Sequence, residues 1–126
     1  MDDFFEPTEK LFRAVLPEGI FWREDGTLTS AAFKDPNGLS VDRDGGRSLK
    51  EVVSFLQHHL AGQIVWVTVA DCNEVHALVR YLPVEDNIYH SEIHKDEQKK
   101  LLSKAQARSL ASSAQLVIES ITTSNQ

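Results

Sequence analysis

Residues 63–69, QIVWVTV, constrain the fold more than any other stretch of this chain. Side chains of a strand alternate between two faces, so a run this uniformly apolar fits only a strand covered on both sides. It is therefore expected to lie centrally in a sheet. Seven residues fall far short of the roughly 20 that a membrane helix requires, so no span is read here. Just upstream, Ser48 and Glu51 match a capping box that opens a helix LKEVVSFLQHHLA. Leu49, Val52, Val53, Leu56 and Leu60 give that helix one apolar face, and Gly62 is placed to end it.

The remaining pattern adds strands before helices. Residues 10–16, KLFRAVL, alternate as a strand with Phe12, Ala14 and Leu16 on one face and Leu11, Arg13 and Val15 on the other. The Asp25-Gly26 pair predicts a hairpin over about residues 21–33, and DPNG at 35–38 predicts a turn into the strand LSVDR. Residues 74–82 read as a strand that brings His76 onto its more polar face, followed by another through residues 88–94. The stretch from Asp96 to about Ala114 reads as helix with a break near Ser103, and QLVIES as a last strand. Strands first and helices later favour a single α+β domain over 1–126, with a mixed or antiparallel sheet, two main helices and frayed ends at about 1–8 and 121–126.

Composition narrows the functional classes. With 41% hydrophobic and 25% charged residues the chain can build a core and is not generally disordered. A formal charge of −6 opposes nucleic-acid binding, which depends on clustered Lys and Arg. Lys95, Lys99, Lys100, Lys104 and Arg108 are interrupted by acidic residues and read as a solvated helix face. The acidic start MDDFFEPTEK lacks the pattern of a secretory signal, and Cys72 stands alone, so a cytoplasmic location is expected.

Two polar clusters invite chemistry. In NIYHSEIH, residues 87–94, a strand would place His90, Glu92 and His94 on one face. His90 and Glu92 are the candidate catalytic pair, with glutamate orienting imidazole as acid or base. A metal site is disfavoured because residues four apart on a strand lie roughly 13 Å from each other, too far for one ion unless another strand contributes, with His76 the natural donor. The bland alternative is a wet edge face. In the first third, Arg13, Ser30, Lys34, Asp42 and Arg43 could converge on an anion, although Asp42 and Arg43 also suit an ordinary surface pair. Phe21 and Trp22 read as core, His58 and His59 as helix-end residues, and Cys72 lacks a neighbour that would activate it. No motif assigns a cofactor.

The ordered segments LFR, TSAAFK, LSVDR and YHSEIH resemble those of a group of small uncharacterised bacterial proteins that share an Arg-bearing first strand, Ser-x-Ala-Phe, Leu-Ser-Val-Asp and His-x-Glu. That resemblance supplies no activity. It implies that Arg13, Ser30, Phe33, Ser40, Asp42, His90 and Glu92 belong together. An Arg on a first strand followed by a Ser-bearing strand is also similar to ADP-ribosyltransferase folds, but the later glutamate and the NAD-binding spacing are not identifiable. The expectation is a module that binds a small anionic ligand or a protein, self-association being left open. The alternatives are a small enzyme using His90 and Glu92 on an anionic substrate, and an antitoxin-like protein stabilised by its partner.

Overall fold

Alternation and capping become six strands and three helices in a computed structural model that describes residues 1–117. In chain order these are β1 (Lys10–Val15), β2 (Leu39–Arg43), α1 (Leu49–His59), β3 (Gln63–Thr68), α2 (Val69–Glu74), β4 (Leu78–Tyr81), β5 (His90–His94), α3 (Lys104–Ser113) and β6 (Gln115–Leu116). All six strands join one antiparallel sheet in the order β4-β5-β2-β1-β3-β6. The fold is thus α+β, with α1 and α3 as its two main helices. None of the helices among the described residues is long and apolar enough to cross a membrane.

The period of two in β1 sends its apolar residues to two separate cores. Phe12 packs with Ile64 under Val52, Val53 and Leu56 of α1. Leu11 and Val15 join Leu39, Val41, Val65, Val67 and Ile93, and this larger core is closed by Phe33, Leu102, Ala107 and Leu110. Because both faces are covered, β3 is apolar from Ile64 to Val67. It nevertheless lies second from the edge and not centrally, with only the two-residue β6 beyond it among the described residues. Burial from above and below, not position in the ladder, explains its composition.

Three further expectations are corrected. The hairpin over 21–33 shrinks to one bridge, Trp22 to Leu28, around the Asp25-Gly26 turn. Residues Ser30–Phe33 then coil into a 3-10 turn that buries Ala32 and Phe33, a depth that a flat hairpin would not reach. Residues 74–82 do not form one strand, because Thr68 and Asp71 make a reciprocal capping box that starts α2. His76 therefore falls in a turn with φ of 58° and not on β4. The helix expected from Asp96 starts only after Ser103, which caps α3 together with Gln106; Asp96 instead accepts from the Gln98 and Lys99 amides in a turn.

Two carbonyls of the N-terminal residues are bonded to the sheet. Arg43 donates to the carbonyls of Asp2 and Phe4 at 2.8 and 2.7 Å, and its guanidinium lies over the rings of Phe5 and Tyr81. Residues 121–126 lie outside the described residues.

Helix α1 already ends at His59, with an extended Leu60 as its C-cap, so Gly62 does not end the helix as expected; at φ +115° it leads the chain into β3, and a Cβ there would stand 2.4 Å from the Val15 carbonyl oxygen. Gly26 has φ +88° but open space around it. Gly26→Ala is expected to cost roughly 1–2 kcal/mol, the penalty of the left-handed region alone. Gly62→Ala should cost clearly more, since backbone must also move. Urea denaturation of the two variants checks the order, and equal losses would contradict it.

Candidate functional site

Strands β1 and β2 are paired only at Leu11 with Arg43 and Phe12 with Asp42, whereas β1 and β3 pair over six residues. Beyond Phe12 the two strands fork. A cavity of about 440 Å³ opens there, lined on the sheet side by Phe12, Arg13, Ser40, Asp42 and His90 and on the helix side by Phe55, Leu56, His59 and Leu60, with Val84 and Asn87 from the β4–β5 loop.

Arg13 bridges the fork. Its Nε donates to the Ala32 carbonyl at 2.9 Å and its Nη1 to the Ser40 carbonyl at 3.0 Å, so it replaces part of the missing ladder. Burial pulls its pKa below the ordinary guanidinium value, against the pull of Asp35. Asp42 is buried and fully engaged: Asn87 donates to one oxygen at 2.7 Å and Arg47 to the other at 3.1 Å. Arg47 in turn lies 3.4 Å above the Tyr89 ring. Asp42 thus anchors the loop that forms one wall, with its charge matched by Arg47.

His90 stands opposite Asp42 across the β2–β5 ladder and reaches diagonally to Ser40. Its Nδ1 is 2.8 Å from the Leu82 carbonyl oxygen and its Nε2 is 3.3 Å from Ser40 Oγ. A carbonyl only accepts, so Nδ1 carries a hydrogen, and in the neutral ring Nε2 then offers its lone pair to the serine hydroxyl. Ser40 is exposed to the cavity. At the helix end, His59 stacks on Phe55 with ring centroids 4.2 Å apart.

The other candidates lie elsewhere. Glu92 is directed away from His90: its Oε1 is 2.7 Å from Nε2 of the buried His94, and the pair lines a separate cavity with Arg80, Asp96 and Lys99. Gly38 makes room for this pair, since a Cβ there would stand 2.3 Å from Glu92 Oε1. Ser30 lines a third cavity beside Trp22 and Arg108. Arg43 is buried on the opposite sheet face and held by both oxygens of Glu9 at 2.8 Å. Phe33 is core. Cys72 is buried, and burial with Asp71 nearby pushes its thiol up to about 12. Among the described residues no three His, Cys, Asp or Glu side chains group to hold a metal ion. His90 and His94 turn to different partners, and His76 lies in its turn beside Gln106.

The structure therefore brings together Arg13, Ser40, Asp42 and His90, and separates Ser30, Phe33, Glu92 and Arg43 from them. Asn87 and the Leu82 carbonyl were not foreseen. Asn87 carried a weak signal as the polar residue just before the histidine strand; a backbone carbonyl carries none. No family model matches the chain, and no curated protein or solved structure matches it.

Proposed function

We propose that the protein is a cytoplasmic ligand-binding module whose occupant is a small amphipathic molecule seated in the fork of β1 and β2, with an apolar body and an anionic head. One observation carries this reading: a single cavity presents Arg13, Ser40 and His90 on one wall and Phe55, Leu56 and Leu60 on the other. Concave sites with an apolar lining and a few convergent polar groups are the usual form of a small-molecule site. Arg13 supplies the cation and Ser40, Asn87 and His90 the hydrogen-bonding groups. The carboxylate of Asp42 is already matched, while Asp86 lies exposed at the mouth, where water screens it. The formal charge of −6 favours such a ligand over nucleic acid. A buried lone thiol fits a reducing compartment.

A thermal-shift titration with straight-chain monocarboxylates and alkyl phosphates tests the reading. Saturating ligand should stabilise the protein, by about 2.7 kcal/mol at one hundred times Kd. Leu60, 53% exposed at the mouth, is the informative position. Leu60→Asp should weaken binding about tenfold or more, because burying a leucine is worth roughly 1.5–3 kcal/mol. Equal shifts in both proteins would place the ligand elsewhere.

A further inference from the structure

We propose that Ser40 and His90 form a nucleophile and general base, and that the cleft hydrolyses small esters with an apolar acyl group. This rests on the cleft being the ligand site and assigns its reaction and substrate class.

Three observations converge on it. Ser40 Oγ faces His90 Nε2 at 3.3 Å, a separation that shortens in many enzymes once substrate is bound. The Leu82 carbonyl, 2.8 Å from Nδ1, fixes the tautomer in which Nε2 is the free base, the role a carboxylate plays in a serine triad. Ser40 is exposed at the floor of a cavity whose far wall is Phe55, Leu56 and Leu60, a surface suited to an acyl chain. Arg13 lines the same cavity with its Nε and Nη1 already given to the Ala32 and Ser40 carbonyls, so what it offers a developing oxyanion is its nearby positive charge.

The step balances without another reactant. Ser40 Oγ attacks the ester carbonyl carbon as its proton passes to His90 Nε2. The C–O bond to the alkoxide then breaks, and the alkoxide leaves as an alcohol with that proton. Water attacks the acyl-serine, giving a proton to Nε2, and collapse returns it to Ser40 Oγ with release of a carboxylic acid. The product is an amphipathic carboxylate, the ligand class already assigned to the cleft.

The full chain is treated with an alkyl fluorophosphonate and mapped by peptide mass spectrometry, and p-nitrophenyl butyrate turnover is followed in parallel. The expected result is one adduct on Ser40, at least tenfold slower to form in His90→Gln, with turnover falling at least a hundredfold in Ser40→Ala. Turnover unchanged in Ser40→Ala, or no adduct on Ser40, overturns the proposal. Butyrate binding to Ser40→Ala, followed by NMR shifts of cleft residues, separates the two readings. Binding without an adduct on the unmodified chain removes the hydrolysis and keeps the ligand site. Neither binding nor adduct removes both.

Discussion

Glu9→Ala is expected to lower the unfolding free energy by about 3–5 kcal/mol, read from urea denaturation at neutral pH. Glu9 and Arg43 are both buried, and two hydrogen bonds of 2.8 Å join them. The bond to Glu9 raises the Arg43 pKa above its ordinary value, against the cost of burial. Without Glu9 the guanidinium stays charged among Phe5 and Tyr81 with two carbonyls as its only remaining acceptors among the described residues. The Gly45 amide also loses its acceptor. Most of the loss comes from stranding the charge, so replacing both partners with apolar residues of similar size should recover much of it. A loss of less than 1 kcal/mol for Glu9→Ala would mean that water reaches the guanidinium.

Phe12→Ala should cost about as much, roughly 3–5 kcal/mol, by a different route. The ring is 1% exposed and sits in the smaller core beneath α1. It is also part of the cleft floor, so the space it leaves joins an existing opening. The urea midpoint should fall with little change in its slope, since the surface exposed on unfolding hardly differs. Leu60→Ala at the mouth should stay within about 0.5 kcal/mol, as expected for a largely exposed side chain. A small effect at Phe12 would show that α1 is held to the sheet by something other than this core.

What could be read from the sequence followed the range of the interactions involved. Strand β1, strand β2 and helix α1 with its Ser48–Glu51 cap are dictated by neighbours within a few residues, and they stand where the pattern puts them. The stretch after β3 misled because two local signals competed. Alternation from Glu74 to Leu82 suggested one strand, while Thr68 and Asp71 already encoded a helix start, and the cap prevailed. The site shows the same division. Arg13, Asp42 and His90 were marked by residue type and do meet. Glu92 had same-face neighbours on either side, His90 and His94; the structure gives it to His94, and nothing local decides between them. Arg43 stands next to Asp42 in sequence, yet it bonds Glu9, 34 residues away, while Asp42 takes Arg47.

The fork between β1 and β2 divides the sheet into two three-stranded halves, β4-β5-β2 and β1-β3-β6, joined at one end by two residue pairs, the Lys10–Asp44 hydrogen bonds and the Arg43–Glu9 pair, and across the fork by the guanidinium of Arg13. The halves are otherwise held by the apolar layers above and below, which resist separation but allow small sliding more readily than a full ladder does. Cleft width and mechanical coupling of the halves are therefore one variable. Any occupant that spreads the strands loosens the join, and any change that tightens the join narrows what the protein can hold.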